Sequence, residues 1–211
     1  MKLCALTEAS EFKELRFRAG EKPLFKKLNA SPCIRFPIPV NLDVPAQKVS
    51  LIIQSVLGGA ELPVEVKDMK HRSQYNLEIA IIFQHVSRLI RCIIDIFLHL
   101  EDAVASRNAL MLARSLGARA WDDSPLHLRQ IDQIGNVGVR KLANAGIMTV
   151  EELEHTEPYR IEMILARNPP FGTKLLERLK AFPKVYVSLT TVGKPVIYEY
   201  LYLFMQLMLI R

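Results

Sequence analysis

The sequence has few cysteines and lacks the motifs that bind nucleotides or hydrolyse esters and peptides. Its thiols, Cys4, Cys33 and Cys92, are odd in number and include no C-x-x-C pair. They indicate neither a disulfide framework nor a thiolate zinc site, and they favour a reducing compartment. No G-x-x-x-x-G-K-[ST], H-E-x-x-H or G-x-S-x-G motif occurs, and the five histidines are scattered. We therefore expect no metal, no cofactor and no catalytic activity from this chain alone.

The sequence also lacks a secretory signal and a long uncharged apolar run. Residues 1–10 contain no apolar core of the length that a signal peptide needs. The apolar stretch 75–99 carries four charged residues, which leave no uncharged run of about 18; they are Glu78, Arg88, Arg91 and Asp95. We expect no membrane partner for this part of the chain.

What is present is the composition of a soluble globular protein. The 211 residues are 50 % hydrophobic and 24 % charged, enough for one large or two small domains. The net charge is +6, and residues 1–50 hold nine Lys and Arg against five acidic residues. This excess permits a polyanionic partner and locates its contact near the beginning of the chain.

Apolar spacing predicts a mainly α-helical fold. Residues 75–99 contain neither glycine nor proline, and their apolar side chains recur at spacings of three and four residues. They predict one helix of about 37 Å, buried on several sides in the centre of a bundle. Further helices are predicted over 46–57 and 101–118, and two short ones over 8–29. Four prolines make 31–45 an extended connector.

Residues 125–145 predict a helix, a tight turn and a second helix. Gly135 and Gly138 would let the backbone approach a phosphate, and the N–H groups that begin the second helix would face that anion. Arg140 and Lys141 would add positive charge. DNA-binding hairpins usually have glycine, an apolar residue and glycine at the turn, whereas Gln133 occupies the first position here. Both a structural or docking hairpin and a direct phosphate contact remain open.

Several strings occur in an order that resembles a known family. They are EFKELRFRAGEK, IRFP, LIIQSVLGG, SRLIRCIIDI, WDDSPL and NPPFG. The set is similar to the Sec-sixty-three homology domain, which follows the motor in Ski-type superfamily-two helicases, and within that group it most resembles the meiotic crossover DNA helicases.

The resemblance implies a fold and its boundaries. A helical bundle with a long central helix would occupy 1–122. The resemblance would begin within this bundle, without the winged helix that usually precedes it. A helix-hairpin-helix domain would occupy 123–183. The first strand of a β-sandwich, over 184–190, would open the segment 184–211, which ends in an apolar tail.

The resemblance also implies a function. In this family a long bundle helix, the ratchet helix, lines the channel of the translocating single strand, and Gln84, Arg88 and Arg91 are the matching strand contacts. The chain would be an accessory module that guides DNA during meiotic homologous recombination and crossover formation in the nucleus. Its partners would be single-stranded or branched DNA and helicase motor domains, in cis or in trans. ATP and magnesium would belong to that motor, whose motifs these 211 residues lack.

Blander interpretations stay open. Arg91 can pair with Asp95 four residues on, and Arg88 can lie on the rim of the bundle. The chain would then be a protein-docking module without nucleic-acid contact, similar to the domain of the spliceosomal RNA helicase or of the endoplasmic-reticulum translocation component.

The end of the chain is unusually apolar. Thirteen of the fifteen residues in 196–210 are apolar. A tail anchor, a sandwich strand and out-of-family sequence from a misread exon are the interpretations. We favour the last, because only the segment before it resembles the opening of the sandwich.

Overall fold

The computed structural model describes residues 4–38, 43–60 and 69–181. These ranges contain helices and irregular segments but no β-strand, and the mainly α fold class is confirmed. They form two compact units, unit 1 up to Asp122 and unit 2 from Asp123 onward. The predicted strand at 184–190 and the apolar tail at 196–210 lie outside the described residues.

The described part of unit 1 is built from five α-helices. They are α1 (Cys4–Thr7), α2 (Glu21–Asn29), α3 (Pro45–Gly58), α4 (Met69–His99) and α5 (Ala103–Ala118). Helix α4 is about 46 Å long at 1.5 Å per residue, and it begins earlier than the predicted 75–99. The side chain of Asp102 caps α5 by accepting a hydrogen bond from the N–H of Ala105 at 2.9 Å.

Of the two short α-helices predicted in 8–29, the prediction of the first is wrong. Only a 3-10 helix forms there, over Ser10–Phe12, and irregular turns lead to α2. The spacing of the apolar residues explains this difference. Phe12, Leu15 and Phe17 all pack against one core, and residues five apart cannot share one face of an α-helix. An irregular backbone satisfies all three contacts.

Helices α3 and α4 supply half of the buried apolar residues in the core of unit 1. Helix α3 is buried on nearly every face, whereas α4 is fully buried along one stripe only. That stripe contains Tyr75, Glu78, Ile82, Val86, Ile90 and Ile94. The expectation that the long helix is buried on several sides is therefore wrong, because polar residues between the apolar ones leave one face open.

A buried ion-pair network joins three helices of unit 1. The ammonium of Lys48 on α3 lies 2.7 Å from a carboxylate oxygen of Glu21 on α2 and 2.9 Å from one of Glu78 on α4. It also donates to the backbone carbonyl of Arg16 at 3.1 Å. All three charged side chains are buried. The network thus fixes α4 against the two preceding helices.

Two amide side chains hold the proline-rich connector in place. Asn29 pairs with both the N–H and the carbonyl of Ile38, and Gln54 does the same with Phe36. Gly58 packs so closely that a side-chain carbon there would come within 2.2 Å of the carbonyl oxygen of Cys33. The part of the connector that the structure describes contains neither helix nor strand, but it opens with a turn closed by a hydrogen bond from the N–H of Ile34 to the carbonyl of Ser31 at 3.0 Å. The expectation of an extended segment is therefore wrong at residues 31–34, whereas the prolines exclude a helix as expected.

Unit 2 has its own core and its own helices. A 3-10 helix at Pro125–Gln130 is followed by α6 (Asn136–Asn144), α7 (Val150–Glu154), α8 (Pro158–Leu165) and α9 (Phe171–Lys180). Thr149 and Glu152 form a capping box at the start of α7. The pKa of Glu152 is lowered by hydrogen bonds from two backbone N–H groups, with the larger effect from Met148 and the smaller from Thr149.

The NPPFG segment makes the tightest junction in unit 2. The buried carboxylate of Glu162 on α8 accepts a hydrogen bond from the N–H of Gly172 at 2.8 Å, at the first turn of α9. A side-chain carbon on Gly172 would lie 2.2 Å from the carbonyl oxygen of Pro158. Glycine is therefore required here because the two helices meet backbone to backbone.

Candidate nucleic-acid interface

The open face of α4 presents the polar side chains predicted as strand contacts. Gln84, Arg88 and Arg91 are all exposed. Their spacing of four and three residues places them within about 60° of the helix circumference and over about 10 Å of its length. The structure thus brings these three residues together in one row.

Arg91 is not held by the intrahelical pair considered above. Among the described residues it has no ion-pair or hydrogen-bond partner, although Asp95 lies on the same face of the helix. The guanidinium is exposed and has all its donors available within that part of the chain. Such a group can bind a phosphate or stack on a base.

Arg88 has a partner that is distant in sequence. Its Nη2 donates to Oε1 of Glu11 at 2.6 Å, and the arginine side chain remains 63 % exposed. Ser10 donates to the other carboxylate oxygen of Glu11 at 3.2 Å. The pKa of Glu11 is lowered mainly by a hydrogen bond from its own backbone N–H and, to a smaller extent, by the one from Arg88. The carboxylate is thus held against α4 in its charged form.

The basic segment after Glu11 borders a surface pocket of about 630 Å³. Lys13, Arg16 and Lys22 line it together with aromatic and aliphatic side chains. Lys22 is paired with Asp43 at 2.5 Å. The carboxylates of Glu8 and Asp43 line it as well, so the pocket carries charges of both signs beside apolar surface and shows no selectivity for an anion.

In unit 2 the predicted hairpin has an open helix N-terminus. Gly135 is the N-cap residue of α6, and no side chain caps that end. Gly135 is exposed, and a side-chain carbon there would meet nothing within 4 Å. The first N–H groups of α6 can therefore face an anion, and Arg140 and Lys141 are exposed on the same helix.

The two other turn residues have different roles. Gln133 occupies the position where DNA-binding hairpins usually have their first glycine, and its φ of 72° is left-handed. The backbone therefore keeps a glycine-like conformation with a glutamine in place. Gly138 is half-buried, and a side-chain carbon there would lie 3.4 Å from atoms of Ile134 and Leu165. Gly138 serves packing within unit 2 more than it opens the turn.

Sequence reasoning missed Glu11 and the backbone of Gln133. Glu11 lies 77 residues from Arg88, so no local spacing relates them. The sequence hinted at the role of Glu11 only by placing it next to an aromatic residue, Phe12. In the structure Phe12 is buried and packs edge-on against His85 of α4, with ring centroids 6.3 Å apart. The left-handed Gln133 was visible only as a departure from the glycine pattern.

Comparison with known families now decides the affiliation. The Sec63 Brl domain family matches residues 2–207, which is nearly the whole sequence. The chain belongs to the Sec63 Brl domain family. Within the described residues of this Sec63 domain, no helix is both long and apolar enough to cross a membrane, and no cluster of three metal-ligating side chains occurs.

Curated relatives of the domain are helicases. The chain is 35 % identical over 184 residues to the ATP-dependent DNA helicase MER3 of Saccharomyces cerevisiae, covering 84 % of this chain and 16 % of MER3. It is 32 % identical over 179 residues to the human "Probable ATP-dependent DNA helicase HFM1", covering 82 % of this chain and 12 % of HFM1.

An RNA helicase is also similar. The chain is 27 % identical over 183 residues to the DExH-box ATP-dependent RNA helicase DExH12 of Arabidopsis thaliana, covering 85 % of this chain and 8 % of that protein. The chain thus spans about a sixth or less of the length of these three relatives.

Proposed function

We propose that the chain is the accessory module of a meiotic DNA helicase and that it guides single-stranded DNA beside an ATP-driven motor. The observation that carries this proposal is the exposed row of Gln84, Arg88 and Arg91 on α4. A flat row of guanidinium and amide groups contacts phosphates and bases without reading sequence. The similarity to MER3 and HFM1 supports DNA as the nucleic acid and the nucleus as the place of action.

Under this proposal the two units correspond to two modules, a ratchet-type bundle over 1–122 and a helix-hairpin-helix domain over 123–183. The open N-terminus of α6, with Arg140 and Lys141, is a second phosphate contact within the hairpin module. An ATP-driven motor, with its ATP and magnesium, is the partner of these modules in cis or in trans. Homologous recombination and crossover formation are the processes served.

The experiment is fluorescence anisotropy with a labelled oligothymidylate and the full chain. We expect the Arg88→Ala, Arg91→Ala variant to lose most of its affinity and part of the salt dependence, because each arginine neutralises about one phosphate. Lys174→Ala, Arg178→Ala is the matched control, since it removes two exposed cations, four residues apart on α9, that belong to none of the proposed contacts. Equal affinity of the α4 variant and the wild type would contradict the proposal.

A docking function is the second candidate, and one observation favours it. Ile96, Leu100 and Val104 are 56 %, 64 % and 72 % exposed around the turn between α4 and α5. Apolar residues clustered on a surface suit a protein partner. A stable complex with a helicase motor that Leu100→Asp abolishes, together with no DNA binding at low salt, would favour this function over the first.

A further inference from the structure

The ion pair between Glu11 and Arg88 joins an acidic side chain to the row of residues proposed as strand contacts. Exposed salt bridges are usually loose and contribute little. This one is held on the acidic side, because Ser10 donates to Oε2 of Glu11 while Arg88 donates to Oε1. Glu11 is only 23 % exposed in its side chain.

The backbone around Glu11 is also fixed. Phe12, the next residue, is 1 % exposed and contacts His85 one turn before Arg88 on the same helix. The 3-10 helix Ser10–Phe12 is therefore anchored to α4 at the level where the two charges meet. A short anchored segment can present a carboxylate at a defined place without a long side-chain search.

A carboxylate and a phosphate are both anions that accept hydrogen bonds from a guanidinium, so they compete for the same donors. Arg88 is still 63 % exposed, so its remaining donors are open to solvent. Arg91, one turn along the row, has no ion-pair partner among the described residues. An internal anion, the carboxylate of Glu11, therefore already occupies Arg88 but not Arg91.

We propose that Glu11 is an internal competitor for phosphate at Arg88, occupying the guanidinium in the free protein and yielding it when a single strand binds. This inference rests on the proposed function, because it needs a nucleic-acid strand on the open face of α4. The consequence is a weakened phosphate contact at Arg88. A surface that releases each phosphate readily suits a strand that moves along it, whereas two fully available arginines would hold it more tightly.

The test is the affinity of the full chain for a labelled oligothymidylate. Glu11→Gln keeps the size of the side chain and removes its charge, so we expect binding to tighten about two- to fivefold, which is the effect of one exposed ion pair. The salt dependence should steepen by up to about one counterion. Glu14→Gln is the matched control, because it removes one exposed negative charge from the same segment.

A second background separates competition from a general change in charge. In the Arg88→Ala chain, Glu11→Gln should give no more tightening than Glu14→Gln does. Tightening that persists without Arg88, or weaker binding by Glu11→Gln, would overturn the competitor role.

Thermal unfolding followed by circular dichroism checks that the variants are folded. If the wild type binds and Glu11→Gln matches Glu14→Gln, this inference fails while the proposed function stands. If no variant binds the oligonucleotide at low salt, both fail.

Discussion

The buried ion-pair network of unit 1 predicts a large loss of stability when Lys48 is replaced by methionine. Methionine keeps the unbranched shape of the side chain but removes the charge that faces Glu21 and Glu78 at 2.7 and 2.9 Å. Two buried carboxylates would then face each other without a cation. One oxygen of Glu78, Oε2, already has no hydrogen-bond partner among the described residues.

The expected magnitude follows from burial. Removing one partner of a buried ion pair costs about 3–5 kcal/mol, since the remaining charge stays desolvated. Replacing Glu78 by methionine as well should recover about 1 kcal/mol or more, because it removes one of the two uncompensated carboxylates. Lys22→Met is the control. Lys22 and Asp43 are 51 % and 64 % exposed, so its loss should cost under about 1 kcal/mol.

The assay is urea unfolding followed by tryptophan fluorescence. Trp121 is the single tryptophan of the chain and lies 8 % exposed in the core of unit 1, so its emission reports that unit. A cost below about 1 kcal/mol for Lys48→Met would refute the reasoning. So would a Lys48→Met, Glu78→Met chain that is less stable than Lys48→Met alone.

Three further predictions concern backbone and caps. Gly172→Ala should cost about 1–3 kcal/mol in chemical unfolding, whereas Gly117→Ala, with open space around it, should stabilise by about 0.5–1 kcal/mol; equal effects would contradict this. Gln133→Gly should stabilise by about 0.5 kcal/mol, since relief of the left-handed strain exceeds the added chain entropy; a loss would contradict it. The backbone hydrogen bonds that lower the pKa of Glu152 also stabilise α7. This stabilisation is complete at pH values above the ordinary glutamate pKa, and it is lost as the pH falls through the lowered pKa. Amide exchange should therefore distinguish Glu152→Gln from the wild type at neutral pH and not in strong acid; a difference that persists in acid would contradict the assignment.

The long helices and the hairpin could be predicted because their signals are local. Apolar residues at spacings of three and four placed α3 and α5 within two residues of their observed bounds and placed the end of α4 correctly, whereas α4 begins six residues before its predicted start. The same periodicity put Gln84, Arg88 and Arg91 on one face of α4. Residue spacing along a helix sets which side chains share a face, so their common face follows from the sequence, whereas their choice as strand contacts came from the resemblance to the helicase domain.

The contacts between distant segments could not be predicted. The pairing of Glu11 with Arg88 and of Lys48 with Glu21 and Glu78 depends on how helices pack. The sequence shows only that these charges exist. The irregular backbone after Phe12 likewise follows from tertiary packing, which overrides the helical propensity of the segment.

The most direct test of the central claim is a comparison of single-strand binding by the wild-type chain and the Arg88→Ala, Arg91→Ala variant across a range of salt concentrations. We expect measurable wild-type affinity that falls with salt, and a variant that binds weakly with a shallower slope. Identical affinities and slopes, with both chains folded, would contradict the assignment of α4 as the strand-guiding helix.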